Sequence, residues 1–101
     1  MALKISWSKE AKEELIRVIA YLDENWSEKE IRKFSSKLEE QITLISVRPK
    51  TYKKSKRLLG THECLITKHN SLFYTYNETS LFIVTVWDNR QEPGKLKHFG
   101  L

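Results

Sequence analysis

The stretch Ser80–Arg90, SLFIVTVWDNR, decides the fold of this chain. Residues 81–87 are apolar except for Thr85, and the β-branched and aromatic residue types that predominate favour a strand over a helix. Apolar residues fall on both alternating faces, as in a central strand that is covered on both sides. The polar triplet Asp-Asn-Arg at 88–90 ends the strand, and it indicates either a plain turn or a polar site on a rigid scaffold.

Three further strands surround this one in the predicted sheet. Strand-like composition and alternation indicate strands over His62–Lys68 and Ser71–Tyr76, and the dipeptide 69–70, His-Asn, is typical of a tight turn because asparagine tolerates left-handed geometry. Together with 80–87, these strands form an antiparallel meander. Leu3–Trp7 alternates as well and predicts a short first strand with one wet face.

Two amphipathic helices fill the interval between the first strand and the meander. Apolar residues recur at helical spacing over Lys9–Trp26, and a second helix begins after Ser27 and ends near Arg48, because a proline follows. Ser27 and Glu30 have the spacing of a capping box. We therefore predict one α+β domain over residues 1–101, of order β-α-α-β-β-β, with an antiparallel helical hairpin packed on one face of a small, mainly antiparallel sheet.

The second face of this sheet has no covering element in the predicted order. The last strand is nevertheless apolar on both faces, so something must shield it from water. We expect the C-terminal tail or a partner to cover this face.

The net positive charge of the protein comes from its second half. Residues 1–49 hold nine Lys/Arg and nine Asp/Glu, whereas residues 50–101 hold nine Lys/Arg and only four Asp/Glu. Five of these positive charges lie in the eight residues 50–57, within a segment Pro49–Gly60 that we call the basic loop. The basic loop is either a solvated loop or a binding surface for an anionic partner, which can be nucleic acid or an acidic protein.

The composition excludes several classes of protein. With 101 residues, 40% hydrophobic and 31% charged, the chain can form one core and is not of the disordered type. Cys64 is the single cysteine, so no internal disulfide is possible, and we expect it to pack in the core. No apolar run approaches a membrane span or a signal peptide. We expect a cytoplasmic protein with no membrane association, cofactor or metal ion.

The chain resembles the RelE/ParE superfamily of toxins from bacterial toxin–antitoxin modules, which are often described as plasmid stabilisation proteins. The resemblance covers nearly the whole chain, and the ending D-N-R-x-x-P is its most specific part. The segments that carry it are Ile5–Ala11, Tyr21-Leu22, the series Phe34, Leu38, Ile42, Ile45 and Pro49, the hairpin Leu65–Tyr74, and Trp87–Leu96.

The resemblance implies a toxin that is neutralised by a short acidic antitoxin, with two possible mechanisms. ParE-like members poison DNA gyrase and are not enzymes, whereas RelE-like members cleave mRNA on the ribosome. RelE-like ribonucleases usually carry a tyrosine in the C-terminal segment, and His98-Phe99-Gly100-Leu101 has none, so we favour the ParE-like mechanism. A small basic nucleic-acid-binding module and a degenerate, inactive toxin are the remaining hypotheses.

The candidate site residues follow from these mechanisms. RNA cleavage through the 2′-OH needs a base, a cation on the phosphate and an acid for the leaving oxygen. The RelE-like hypothesis gives Arg90 the phosphate and draws the other catalytic groups from His62, Lys68 and His98. The residues that we expect to bind a macromolecular partner are Lys53, Lys54, Lys56, Arg57, His69 and Trp87.

Overall fold

The centre of the fold is the strand Ser80–Asp88, in the place predicted from its apolar residues. A computed structural model describes residues 2–90. The elements in chain order are β1 (Lys4–Trp7), α1 (Lys9–Asn25), α2 (Glu28–Val47), a 3₁₀ turn (Pro49–Thr51), β2 (His62–Thr67), β3 (Asn70–Tyr76) and β4 (Ser80–Asp88). The strands lie in the order β1-β4-β3-β2, so β4 is a central strand and the predicted order β-α-α-β-β-β is confirmed.

The sheet is mixed and mainly antiparallel, as expected. β1 pairs with β4 in parallel, whereas β2, β3 and β4 form an antiparallel meander. The β2–β3 turn was predicted one residue too late, because Lys68-His69 is the turn and Asn70 already begins β3. Thr67 explains the shift: its Oγ1 accepts the backbone N–H of His69 at 3.2 Å and donates to Asn70 Oδ1 at 2.9 Å.

A β-bulge in β4 changes which side chains face the helices. Tyr74 pairs with Ile83 while its neighbour Phe73 pairs with Thr85, so Val84 is an extra residue in β4. An extra residue in one strand reverses the alternation beyond it. The core beneath the helices therefore includes Leu81 and Ile83 from before the bulge and Val86 from after it.

The main core lies between the helical hairpin and one face of the sheet. α2 contributes Phe34, Leu38 and Ile45, which are all buried. Cys64 is also buried there, as expected, and burial raises the pKa of its thiol to about 11. A thiol with so high a pKa remains protonated near neutral pH and behaves as a small apolar core residue.

The second face of the sheet is partly covered by the basic loop, contrary to the expectation that only the tail or a partner could do so. Leu58 is 4% exposed and packs with Phe73 and Trp87 in a second, smaller core to which Val84 adds a partly buried side chain. The sequence interpretation treated Pro49–Gly60 as a charged segment and overlooked that its one buried leucine can anchor it on the sheet.

The two helices begin in different ways. Ser8 caps α1, since its Oγ accepts the backbone N–H of Ala11 at 2.9 Å, and the same hydroxyl donates to the Val84 carbonyl at 2.6 Å. α2 begins after Ser27 as predicted, but the Ser27 side chain makes no capping bond. The backbone carbonyl of Ser27 instead accepts the N–H of Glu30 at 3.0 Å, so the predicted capping box does not form.

Truncation of the central strand is expected to destabilise the fold. Leu81→Ala removes a fully buried side chain and leaves a cavity, so the free energy of unfolding should fall by about 2–5 kcal/mol. Urea denaturation of the purified protein measures this change. Ile16→Ala is the matched control because Ile16 is 68% exposed, and its effect should stay within about 0.5 kcal/mol. Equal losses in both variants would contradict the assignment of the core.

Candidate functional site

Arg90, directly after β4, is held by the strand that precedes it. Its Nε donates to Asp88 Oδ1 at 3.0 Å and its Nη2 donates to Asp88 Oδ2 at 2.8 Å, a bidentate ion pair. The backbone N–H of Arg90 also donates to Asp88 Oδ1, at 2.9 Å. Three bonds within three residues thus fix the guanidinium at the end of the sheet.

An aromatic ring from α1 completes the support of this arginine. The guanidinium carbon of Arg90 lies 5.3 Å from the centre of the Tyr21 ring, within the range of a cation–π contact. Tyr21 is itself 42% exposed, so the contact lies at the surface. Arg90 therefore connects the end of β4 with the C-terminal half of α1.

The ion pair favours the charged form of both partners. Hydrogen bonds from Arg90 lower the pKa of the Asp88 carboxyl, although partial burial opposes this effect. The bond to Asp88, with a smaller contribution from Tyr21, raises the pKa of Arg90. The Arg90 side chain is 47% exposed, so water and salt screen the pair and a competing carboxylate can reach it.

Arg90 and Asp88 line a groove of 610 Å³ that runs between the helical hairpin and the end of the sheet, and we call it the Arg90 groove. Part of its lining is apolar. Tyr21 and Trp26, which is 59% exposed, are among the residues that line it. The charged side chains that line it are Glu14, Arg17, Glu30, Lys33, Lys37, Lys68, Asp88 and Arg90; its apolar side chains include Val18, Leu22, Phe34 and Ile66.

Two of the residues singled out from the sequence share this groove with Arg90. Lys68 and His69 form the β2–β3 turn, both are exposed, and both line the Arg90 groove. The His69 carbonyl accepts the backbone N–H of Asn89 at 2.7 Å, which holds the turn against the end of β4. A cation, an imidazole and a paired guanidinium are thus brought together.

His62 lies elsewhere. It begins β2 at the opposite end from Lys68, and six strand residues span roughly 20 Å. Its Nδ1 is 2.8 Å from the Tyr52 carbonyl, and its ring is stacked on Tyr74 and tilted against Tyr76, with ring centres 5.3 and 5.2 Å away. His62 is therefore part of the packing at that end of the sheet, and His98 lies outside the described residues.

Arg57 has an internal role on the other face of the sheet. Its Nη2 donates to Glu63 Oε2 at 2.7 Å and to Asn89 Oδ1 at 2.7 Å, and its guanidinium lies 5.3 Å from the centre of the Phe73 ring. The side chain that we expected to bind a partner thus ties the basic loop to β2 and to the end of β4. Trp87 is similarly internal, since it is only 2% exposed.

The other three basic residues of the binding set remain at the surface. Lys53, Lys54 and Lys56 are exposed on the basic loop, on the far side of the sheet from the Arg90 groove. The six binding candidates and Arg90 do not line one groove. The structure divides them between the two faces of the sheet.

Several groove residues were not singled out from the sequence as site residues. Tyr21 and Trp26 at the end of α1, and Lys33 and Lys37 on α2, all line the Arg90 groove. The available signal was the pair of large aromatic residues at the end of a helix that already had enough apolar residues for its stripe.

Two negative findings concern residues 2–90. No group of three or more His, Cys, Asp or Glu side chains in this part of the chain is arranged to hold a metal ion. No helix in it is both long and apolar enough to cross a membrane.

Comparison with known proteins shows the family to which the chain belongs. The family model described as the ParE toxin of type II toxin–antitoxin systems, parDE, matches residues 5–93. A solved structure titled "The structure of YoeB dimer from Staphylococcus aureus" aligns with a TM-score of 0.57 and 23% identity, covering 84% of this chain and 94% of that chain. At this identity the likeness concerns the fold alone. No curated protein matches the chain.

The family match covers most of the chain and settles its membership. This protein belongs to the ParE toxin family, within the RelE/ParE superfamily. It is the toxin component of a type II toxin–antitoxin system, and an antitoxin is its partner.

The Asp88–Arg90 pair is expected to make stability depend on pH in acid. Because the folded state lowers the Asp88 pKa, the pair stabilises the protein above the ordinary value of 3.8 and loses this effect as pH falls through the lowered pKa. The difference in unfolding free energy between the wild type and Asp88→Asn should therefore be present near neutral pH and shrink below 3.8. Urea denaturation over a pH series measures it, and a difference that grows in acid would contradict the assignment.

Proposed function

We propose that this toxin inhibits growth by binding DNA gyrase, and that its antitoxin occupies the Arg90 groove. One observation carries the first part: within residues 2–90, His62 does not lie with Lys68 and Arg90, as the catalytic set of the RelE-like hypothesis requires. His62 lies roughly 20 Å along β2 from Lys68 and is engaged in ring packing. Arg90, the cation assigned to the phosphate, is already paired with Asp88.

The family supports the same mechanism. The matching model is that of the ParE toxin, and poisoning of gyrase by contact is what the ParE-like resemblance implies. A protein that acts by contact needs no base, acid and cation within bonding distance of one phosphate. It needs an ordered surface, which the packed sheet and the anchored basic loop provide.

The shape and lining of the Arg90 groove support its assignment to the antitoxin. An amphipathic helix binds a groove through an apolar face while its polar residues meet the charged rim. The Arg90 groove offers apolar residues from both helices, exposed aromatic rings at Tyr21 and Trp26, and charges of both signs. Lys33, Lys37 and Lys68 would favour an acidic segment over a basic one.

A RelE-like endoribonuclease is the second candidate, and one observation favours it. Lys68, His69 and Arg90 line the same groove, so an imidazole and two cations are available there. In this alternative His69 would act as the general base while Lys68 and Arg90 would hold the phosphate. Asp88 would have to release Arg90 when RNA binds, because its carboxylate occupies the guanidinium.

A double substitution in the β2–β3 turn separates the two mechanisms. If the toxin acts by contact, the double variant Lys68→Gln, His69→Gln should inhibit growth within about threefold of the wild type. If these side chains act as general acid or base, their loss should lower the rate of RNA cleavage by about 10²–10⁴-fold. Purified wild-type toxin should inhibit supercoiling by purified DNA gyrase and leave mRNA on translating ribosomes intact. Primer extension on the mRNA measures the latter.

The control for this experiment is Lys9→Gln with Lys12→Gln, which removes two exposed lysines on α1 outside the groove. Cut mRNA together with unaffected supercoiling would reject the gyrase proposal and support the ribonuclease.

For the second part of the proposal, Tyr21→Ala should weaken antitoxin binding, measured by calorimetry. Unchanged affinity in that variant would remove the antitoxin from the groove.

A further inference from the structure

A second surface lies on the side of the sheet opposite the Arg90 groove. Lys53, Lys54 and Lys56 line a shallow depression of 460 Å³ together with Leu65. Leu65 is 56% exposed, because its neighbours in β2 at 64 and 66 point into the main core and alternation turns it outward. We call these four residues the basic face.

The basic loop presents these lysines from a fixed position. Ser55 is buried, its Oγ accepts the backbone N–H groups of Arg57 and Leu58 at 3.0 and 3.1 Å, and it donates to Glu63 at 2.8 Å. The Ser55 N–H donates to the Thr61 carbonyl at 2.8 Å. The loop therefore loses little conformational freedom when it binds, which favours affinity.

The charge of the basic face is not balanced within the described part of the chain. Across residues 2–90, none of Lys53, Lys54 and Lys56 takes part in an ion pair. The carboxylate that lines the depression belongs to Glu63, and it is already bound by Arg57 at 2.7 Å. An occupant of this surface must therefore bring its own negative charge.

We propose that the basic face contacts an acidic, partly apolar patch on the protein that this toxin inhibits. The proposal rests on the proposed function, since it requires action by protein contact. Leu65 gains from burial against an apolar side chain of such a partner. Single-stranded nucleic acid is disfavoured because Tyr52, the aromatic residue of the depression, packs on the main core and donates its hydroxyl to Gln41 at 2.5 Å, so it is not free to stack on bases.

The two surfaces lie on either side of the chain at the end of β4. Asn89 follows Asp88 in the chain, yet its side chain accepts from Arg57 on the other face at 2.7 Å. Binding of the target at the basic face and of the antitoxin at the groove remain separable by substitution.

The experiment compares growth inhibition by two variants with matched controls. Lys53→Glu, Lys54→Glu and Lys56→Glu together reverse the charge of the face, and Leu65→Gln removes its apolar contact. Each should require about tenfold more induced toxin for the same growth arrest, while antitoxin affinity by calorimetry stays unchanged. The controls are Lys9→Glu, Lys12→Glu and Lys29→Glu together, and Ile16→Gln, all at exposed positions on the helices, which should behave as the wild type.

Each outcome decides the proposal. Growth arrest equal to that of the wild type in both test variants would overturn the proposal. Loss of growth arrest in the lysine variant alone would also overturn it, because that result indicates a nucleic acid as the partner. Loss of antitoxin binding in step with growth arrest would assign the face to the antitoxin and also overturn it. If circular dichroism shows that a charge-reversed variant does not fold, the neutral triple Lys→Gln variant replaces it. This variant should also require more induced toxin for growth arrest, but by a smaller factor.

Failure of the proposed function is seen separately. Supercoiling by purified DNA gyrase in the presence of wild-type toxin tests that function directly. Uninhibited supercoiling with growth arrest lost in both test variants would reject gyrase and retain the basic face as the target contact. A wild-type chain that does not arrest growth would overturn both.

Discussion

The position of Val84 as an extra residue in β4 is the constraint on which the rest of the structure depends. Ser8 secures it, because this one residue donates its N–H to the Ile83 carbonyl at 3.0 Å, donates its hydroxyl to the Val84 carbonyl, and accepts the N–H of Ala11 at the start of α1. The beginning of the helical hairpin is thereby fixed to the bulge. The residues of β4 that follow Val84, up to Asp88, therefore change face.

The polar triplet at 88–90 is divided between two surfaces, and the bulge decides on which of them Asp88 lies. Asp88 and Arg90 line the groove beside the helices, whereas Asn89 receives Arg57 on the other face. A segment that resembles a plain turn therefore holds the helical hairpin through Tyr21 and the basic loop through Arg57 at the same time. Because of this double attachment, the Arg90 groove and the basic loop lie on opposite faces of the sheet near the end of β4.

The periodicity of the sequence was sufficient to predict the elements, their order and the central place of β4, because helices and buried strands leave different apolar spacings. It was not sufficient for the bulge, since an apolar run such as 81–87 is compatible with either phase of alternation. It also failed for the basic loop, where the lysines dominated and the single buried Leu58 was overlooked. Likewise, the apolar run indicated that Trp87 is covered but did not identify the loop as the element that covers it.

The candidate site was predictable only as a set of residue types near the end of β4, because which of them meet depends on the bulge and on the folded-back loop. Arg90 itself can contribute little to the affinity of the partner proposed for the groove. The carboxylate of Asp88 already occupies Arg90, so a partner's carboxylate would replace one ion pair by another of similar strength and gain little net energy. Affinity must then come from the apolar lining and the rings of Tyr21 and Trp26, while the charges set the orientation and the rate of association.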